Sequence, residues 1–369
     1  MNICVVAGAR PNFVKVAPII LAVDKARNEG RDVSLTVVYA GCQDDPTLEA
    51  SLFEDLQIPR PDVFLGVDCV SLNELTGRVM GEFEKYLQTN PTDVVIVVDD
   101  LASTMAAAIV TKKQGVVLAH LVAGTRSFDI NMPQEINRLV IDGLSDLLFT
   151  AGYGSINNAT REGAEQSKIF MVGNILMDTL RQNSRRFMRP EVLDKLHIAD
   201  GEYLVFTINR KKLLADKENL AALMTAMFQS AGNKPIIAPL RSSAVEAIMP
   251  MALNGILPDG LPQSFHVVHS MGYLEFGYLT AHAAGIITDS GNVAEEATFN
   301  AVPCITLNSY TEHIETVKQG TNVLVGEDAA LLQSAVADMV AGNWKQSSIP
   351  ERWDGRTAER ILQVINDYI

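Results

Sequence analysis

The sequence is poor in aromatic and basic residues and contains no long hydrophobic run. Aromatic side chains make up only 6% of the 369 residues, and the 30 lysines and arginines are outnumbered by 44 aspartates and glutamates. The net charge of −14 would repel nucleic acids and anionic membranes, so we expect neither as a partner. Apolar runs such as Val94–Val98 have the length of a strand. They are far shorter than the roughly 18–20 residues of a membrane helix, so we expect no membrane segment.

Cysteine and histidine are also too few and too scattered to indicate a metal site. The four cysteines include no Cys-x-x-Cys pair, and the six histidines show no metal-ligand spacing. Cys4 and Cys304 lie in apolar runs, which predicts buried free thiols. Met1–Ala7 has no basic residue ahead of its apolar stretch. We therefore expect no signal peptide, and a cytoplasmic protein.

What the sequence does contain is a regular alternation of apolar, β-branched runs with helix-length segments. This pattern favours an α/β fold of parallel sheets covered on both faces. One sheet of about six strands fits the first 175 residues, and a second fits residues 203 to 345. The predicted strands are Ile3–Ala7, Val33–Tyr39, Val94–Val98, Val116–Val122, Leu147–Thr150, Ile169–Val172, Tyr203–Ile208, Ile236–Pro239, Phe265–Val268, Gly285–Thr288, Pro303–Leu307 and Asn322–Val325.

Two Rossmann-like, doubly wound domains are therefore expected, with ligands in a cleft at the carboxyl ends of the strands. The predicted N-terminal domain spans residues 1–175, and the C-terminal domain spans 176–354. A helix over Ile175–Arg189 would connect them. A last amphipathic helix, Thr357–Tyr368, would pack back on the N-terminal domain, so that residues 355–369 belong to it.

Two loops that follow predicted strands have features of anion sites. Arg10 and Lys15 stand at the start of a helix, where cations are unusual unless an anion binds, although Lys15 could equally be a solvated side chain. Ser290 and Gly291 open another helix, which is either an ordinary capped helix or a diphosphate site with Glu296 available for a ribose diol. In Pro133–Arg138, a surface ion pair and a ligand-binding cluster are both open interpretations.

These motifs resemble those of the non-hydrolysing bacterial UDP-N-acetylglucosamine 2-epimerases. Gly8-Ala9-Arg10-Pro11 with Lys15 is similar to GTRPE…K, and His120–Ser127 is similar to HVEAGLRS. Pro133–Arg138 is similar to PEExNR, and Thr288–Gly291 with Glu295 and Glu296 is similar to TDSGG…EE. Further matches, in order along nearly the whole chain, are Ser145–Phe149, Val172–Asn174 with Asp178, Gly272–Phe276, Val302–Cys304, Thr311–Val317 and Gly320–Asn322.

The resemblance implies the GT-B fold, a UDP-sugar as ligand, a homodimer, and no metal or redox cofactor. It implies interconversion of UDP-GlcNAc and UDP-ManNAc by elimination and re-addition of UDP, in supply of surface polysaccharide precursors. The expected catalytic residues are Asp100, Glu135 and Arg210. The expected substrate-binding residues are Arg10, Lys15, Arg126, Asn137, Arg138, Asn209, Tyr273, Phe276, Ser290, Gly291, Asn292, Glu296 and Glu312.

Departures from the family pattern fall on positions that carry chemistry. Val122 replaces the Glu of HVEAG, Gln134 the first Glu of PEExNR, and Asn209 a histidine. Asp99 stands where the family motif GDT has its glycine. The stretches GQHYD and HPNP, which in the family help to bind substrate or an activating UDP-GlcNAc, are also altered, at Gly41–Asp45 and Ala238–Arg241.

Three hypotheses remain open on the sequence. The chain is an epimerase that uses Asp100 and Glu135, a nucleotide-sugar-binding protein without turnover, or an enzyme on a different UDP-sugar. A GT-B glycosyltransferase is disfavoured, because it rests on the fold alone.

Overall fold

The computed structural model of the chain describes residues 1–257 and 260–369. It divides into two compact units, Met1–Gln182 with Glu351–Ile369, and Asn183–Pro350. Both units are α/β, as predicted. Among the described residues, no helix is both long enough and apolar enough to cross a membrane.

The first unit is built on a seven-stranded sheet with the order β3-β2-β1-β4-β5-β6-β7, in which all pairs are parallel. Its strands are β1 (Asn2–Ala7), β2 (Ser34–Tyr39), β3 (Val63–Phe64), β4 (Val94–Val98), β5 (Val117–Leu121), β6 (Leu147–Thr150) and β7 (Ile169–Met171). Its helices are α1 (Asn12–Asn28), α2 (Ala50–Leu56), α3 (Leu72–Thr89), α4 (Ala102–Lys113), α5 (Pro133–Leu144), α6 (Tyr153–Arg161) and α7 (Ile175–Asn183), together with the last helix of the chain.

The second unit contains a six-stranded parallel sheet with the order β10-β9-β8-β11-β12-β13. Its strands are β8 (Leu204–Phe206), β9 (Ile236–Pro239), β10 (Phe265–Val268), β11 (Gly285–Thr288), β12 (Cys304–Thr306) and β13 (Asn322–Leu324). The remaining helices are α8 (Glu191–Lys195), α9 (Lys211–Ala215), α10 (Lys217–Ala231), α11 (Ser242–Leu253), α12 (Tyr273–Ala281), α13 (Gly291–Phe299), α14 (Ile314–Lys318), α15 (Ala329–Ala341) and, in the first unit, α16 (Thr357–Tyr368).

The strands are continuously apolar because helices cover both faces of each sheet. In the second unit, Leu204 and Ile287 pack into a core formed with α10, α11 and α15. Their neighbours Val205 and Ile286 pack into a separate core on the opposite face, formed with α12 and α13. Successive side chains of a strand alternate between faces, so both faces require apolar residues.

Two details of the predicted elements are corrected by the structure. The first sheet has seven strands rather than six, because Val63–Phe64 adds a two-residue strand beside β2, too short to produce a periodic pattern. The helix predicted over 175–189 ends at Asn183 and is followed by a single 3₁₀ turn, Ser184–Arg186.

The compact units are divided at Gln182 and Pro350 rather than at residues 175 and 354. Side-chain contacts of α7 explain the first difference. The Thr179 hydroxyl donates to the carbonyl of Val14 on α1, and the Asp178 carboxylate accepts the N–H groups of Thr357 and Ala358. The second difference follows from Trp353, which is buried and donates its indole N–H to the carbonyl of Ala151.

Cys4 and Cys304 are buried free thiols, as predicted from their apolar surroundings. Burial raises the pKa of each thiol to about 12, so both are unreactive at neutral pH. Within residues 1–257 and 260–369, no three His, Cys, Asp or Glu side chains lie close enough together to hold a metal ion.

Candidate active site

Most of the predicted residues of the first unit lie where neighbouring parallel strands end. Arg10 and Lys15 follow β1, the Asp99–Asp100 pair follows β4, and Arg126 follows β5. The strand order places β1, β4 and β5 side by side, so their carboxyl ends share one edge of the sheet. β1 and β4 also flank the point where the strand order reverses, the usual ligand position in this kind of sheet.

The Asp99–Asp100 turn directs its two carboxylates to different cations. Asp99 has a left-handed backbone, with φ of 59°, and its carboxylate lies 2.5 Å from Lys15 Nζ and 2.8 Å from Asn12 Nδ2. The Asp100 carboxylate lies 2.6 Å from Arg138 Nη2 and 2.7 Å from Arg138 Nε. Each carboxylate therefore has a cationic partner within hydrogen-bond distance.

The start of α5 adds a third carboxylate, that of Glu135, to this cluster. It accepts the backbone N–H groups of Ser127 (2.9 Å) and Phe128 (3.0 Å), and it lies 3.1 Å from Arg138 Nη1. Burial raises the pKa of Glu135, but these hydrogen bonds outweigh it and hold the pKa below its ordinary value. Arg138 thus joins the carboxylates of Asp100 and Glu135, and the Asn137 amide donates to the carbonyl of Asp100 at 2.7 Å. Ionised carboxylates can accept protons but cannot supply them.

The segment after β1 carries two cations, Arg10 and Lys15, whose surroundings differ. The Asn12 side-chain oxygen accepts the N–H groups of Gly8 (2.9 Å) and Ala9 (3.2 Å), which closes the loop on itself. Lys15 is buried and occupied by Asp99. The half-exposed Arg10 guanidinium has no hydrogen-bonding or charged partner among residues 1–257 and 260–369. Of the two cations predicted to bind an anion here, Arg10 is the one in a position to do so.

Arg126 does not join the cluster. Its side chain is 1% exposed, and it donates to the carboxylates of Asp142, at 2.6 Å, and Glu162, at 2.8 Å through Nε. Its guanidinium also donates to the carbonyl of Thr125 at 2.7 Å. The buried Asp142 and the exposed Glu162 thus already use its donors, and the substrate contact expected of Arg126 stays a prediction.

In the second unit, the predicted residues Ser290, Gly291 and Asn292 form the N-terminus of α13, directly after β11. The Ser290 N–H donates to the Thr288 hydroxyl at 3.0 Å. Gly291 is exposed, and a Cβ built on it would meet only the His313 ring, at 3.6 Å. Open space therefore lies at a helix N-terminus, where backbone N–H groups and the helix dipole favour a phosphate.

The loop after β8 is tied to this helix start through one carboxylate. Asp289 accepts the N–H groups of Asn209 (2.7 Å) and Arg210 (2.6 Å), and the Asn209 side chain is exposed. The Arg210 guanidinium donates to the carbonyl of Leu307 (2.8 Å) and to Glu327 (3.0 Å). Arg210 therefore links the residues that follow three strands of the sheet, β8, β12 and β13, and the catalytic role expected of it stays a prediction.

Glu296 lies one turn into α13 in a strongly perturbed environment. Burial, and then the charge of Glu295, raise the pKa of Glu296 to about 8. Burial and the charge of Glu296 also raise the pKa of Tyr273. Phe276 packs against the core cluster beside α13, and Glu312 is half-buried next to His313, whose Nδ1 lies 3.0 Å from Glu295.

Five residues that hold these side chains in place were not predicted from the sequence. These are Asn12, His120, Asp142, Glu162 and His313. Asp142 carried a usable signal, because it lies four residues after Arg138 on the buried face of α5, where an unpaired carboxylate would be costly. The others gave no such signal, since their partners are distant in the sequence.

The sequence and the fold both resemble those of known proteins. Residues 25–366 match the model of the family described as UDP-N-acetylglucosamine 2-epimerase. The chain is 33% identical to UDP-N-acetylglucosamine 2-epimerase of Methanocaldococcus jannaschii over 99% of each chain. It is 34% identical to UDP-2,3-diacetamido-2,3-dideoxy-D-glucuronate 2-epimerase of Pseudomonas aeruginosa over 88% of each. The crystal structure of the M. jannaschii enzyme in complex with UDP-GlcNAc and UDP matches all of both chains, with a TM-score of 0.82 and 33% identity.

Proposed function

We propose that this chain, which belongs to the UDP-N-acetylglucosamine 2-epimerase family, interconverts UDP-GlcNAc and UDP-ManNAc. The observation that carries the proposal is the pairing of Asp100 with Arg138 and Glu135, at strand ends of a chain that matches the family along its length. A carboxylate fixed at such a strand end is the kind of group that abstraction of a sugar proton requires.

In the proposed reaction, Asp100 takes the C2 proton, and the C2–H electron pair becomes the C1=C2 double bond. The C1–O bond breaks and UDP leaves with its electron pair. Asp100 passes its proton to solvent, a solvent-derived proton adds to the opposite face of C2, and UDP adds back at C1. Arg10, which lies in the same unit as Asp100, would stabilise the departing diphosphate.

The test is incubation with UDP-GlcNAc in D₂O, with mass spectrometry and NMR of the sugar. We expect deuterium at C2 and formation of UDP-ManNAc, both lost in Asp100→Asn. Asp146→Asn is the matched control, because Asp146 is also ion-paired, with Lys112, and precedes β6 at the opposite end of the same sheet. Absence of deuterium after a day at millimolar substrate would contradict the proposed activity.

A second candidate is a nucleotide-sugar-binding protein that does not turn its ligand over. Val122, Gln134 and Asn209 favour it, because they replace two carboxylates and a histidine of the family pattern and cannot act as acids or bases near neutral pH. Calorimetric binding of UDP without C2 exchange would support this candidate. A panel that includes UDP-2,3-diacetamido sugar acids tests the remaining alternative, epimerisation of a different UDP-sugar.

We also propose a cytoplasmic homodimer that supplies a precursor of surface polysaccharide. The homodimer is supported by the family resemblance and by Ile136 and Leu139, two exposed apolar side chains three residues apart on α5. Analytical ultracentrifugation should give twice the 40.1 kDa chain mass, and Ile136→Lys should give the monomer. A wild-type monomer would contradict the proposed dimer without bearing on the activity.

A further inference from the structure

His120 lies at the carboxyl end of β5 with both ring nitrogens facing acceptors. The side chain is buried, its Nδ1 lies 2.5 Å from Asp142 Oδ1, and its Nε2 lies 2.9 Å from the carbonyl oxygen of Asp99. A carbonyl oxygen can only accept a hydrogen bond, so His120 Nε2 is the donor to Asp99. On its other side the ring is held by the Asp142 carboxylate.

Asp142 is the fixed point of this arrangement. It is buried on α5 and accepts from His120, from Arg126 Nη2 at 2.6 Å and from the N–H of Gly124 at 3.0 Å. Burial raises the pKa of Asp142, but the charges and hydrogen bonds of His120 and Arg126 outweigh it and hold the pKa below its ordinary value. One carboxylate thus fixes the loop after β5 and the ring that reaches the loop after β4.

The carbonyl that His120 holds belongs to the peptide linking Asp99 to Asp100. Asp99 has φ of 59°, a left-handed conformation that is unfavourable for a residue other than glycine. In the GDT motif a glycine at this position would adopt it freely. Rotation of the peptide would relieve Asp99 and redirect Asp100. The hydrogen bond from His120 opposes that rotation.

We propose that His120 and Asp142 are positioning residues that fix the Asp99–Asp100 peptide and thereby aim the Asp100 carboxylate. They touch no reacting atom and act through the backbone. The kinetic part of this inference rests on the proposed epimerase activity. The structural part does not, and it can be measured without substrate.

The sequence offers a direct measurement of that peptide. The chain contains two Asp–Asp peptides, Asp44–Asp45 and Asp99–Asp100. With aspartate labelled at the carbonyl carbon and the amide nitrogen, only these two peptides give a carbon–nitrogen cross-peak in a TROSY-HNCO spectrum. We expect His120→Phe and Asp142→Asn each to move the Asp99–Asp100 signal and to leave the Asp44–Asp45 signal in place. Asp146→Asn, the paired carboxylate at the other end of the sheet, should move neither.

In the kinetic arm, both variants should lower kcat about 10–100-fold with KM changed less than about threefold, since misaim of a catalytic group affects the chemical step more than binding. An unmoved Asp99–Asp100 signal in both variants would overturn the inference. So would failure of both variants to fold, because the pair would then be required for the core itself. If the wild type shows no turnover, the proposed function fails and the spectra still decide whether the peptide is held.

Discussion

At Val122 the carboxylate of the family motif is absent, and the backbone conformation is unfavourable. Its φ is 73°, a left-handed value that is unusual for a β-branched residue, and Gln134 lies exposed at the start of α5. The family pattern has a glutamate at each place. Each missing acid or base costs about two to four decades, so a typical turnover of about 10 s⁻¹ should fall to roughly 10⁻³ s⁻¹ or below.

We expect the double variant Val122→Glu with Gln134→Glu to epimerise UDP-GlcNAc at least about tenfold faster than the wild type. Glutamate is not β-branched, so the exchange also eases the strain at residue 122. Coupled product assays give the rates, and Val122→Gln is the control, equal in size but without an acid. Wild-type turnover above about 1 s⁻¹ would show that other residues carry the proton transfers.

The raised pKa of Glu296 predicts that the free energy of unfolding depends on pH. Its pKa is about 8 in the folded chain against an ordinary value of 4.5, because burial and Glu295 disfavour its charge. The folded state therefore holds this proton more tightly than the unfolded state does. The stabilisation is complete below about pH 4.5 and is lost as the pH rises through 8, by as much as about 5 kcal/mol.

Glu296→Gln should accordingly lose less thermal stability than the wild type between pH 5 and pH 8.5. Differential scanning calorimetry at several pH values measures the difference, and Glu191→Gln, at an exposed surface pair, should follow the wild type. Parallel pH profiles of the wild type and Glu296→Gln would mean that the buried carboxyl titrates normally.

At the scale of elements, the strands were predictable because a strand that is buried on both faces must be apolar at nearly every position. Val94–Val98 is fully buried at all five positions and was located to the residue. The two-residue β3 was not, since its pairing depends on the neighbouring β2 rather than on its own pattern. The end of α7 was also missed, because the periodic pattern continues past Asn183, where the helix stops.

Within the site, strand-end positions were predictable, but the orientation of each side chain was not. The sequence shows that Lys15 and Arg126 are cations near strand ends. It does not show that Asp99, 84 residues away from Lys15, and Glu162, 36 residues away from Arg126, occupy them. Contacts between such distant positions are set by packing of the whole unit.

The start of the last helix, α16, is held by a side chain from α7. The Asp178 carboxylate accepts the N–H groups of Thr357 at 3.0 Å and Ala358 at 2.8 Å, and so caps α16 from α7. Asp178→Ala should lower the free energy of unfolding by about 1–3 kcal/mol, because two buried N–H groups lose their acceptor. Limited proteolysis should then cleave within 351–369, while Asp367→Ala, an exposed site on the same helix, stays resistant. Equal resistance of both variants would contradict the capping role.

For the whole molecule, one topology is used twice. In each unit the first strand lies between the second and the fourth, so both β1 with β4 and β8 with β11 flank a reversal of strand order. The loops after these four strands carry Arg10, Asp100, Asn209 and Ser290. Polar loops that are far apart in the sequence therefore take equivalent positions in the two sheets, which is why reading strand ends was enough to find them.

The two stretches that depart from the family pattern, Gly41–Asp45 and Ala238–Arg241, lie in different units. In the first unit, Asp45 is engaged internally by the Tyr39 hydroxyl at 2.5 Å and by Thr47. In the second, Ala238 and Leu240 are buried in the core cluster, so they present no polar group to a ligand. The groups that would recognise a second, activating UDP-GlcNAc are thus replaced or occupied.

We therefore expect one UDP-GlcNAc per chain and a hyperbolic dependence of rate on substrate concentration. Isothermal titration calorimetry gives the number of molecules bound, and initial rates over a hundredfold range of concentration give the shape of the curve. Cys42→Gln with Gln43→His and Asp44→Tyr restores the family residues of the first stretch and shows whether that stretch alone creates an activating site. Two molecules bound per wild-type chain, or a sigmoidal curve, would mean that other side chains have rebuilt the second site. In that case Arg241, exposed at the start of α11, would be the first cation to substitute.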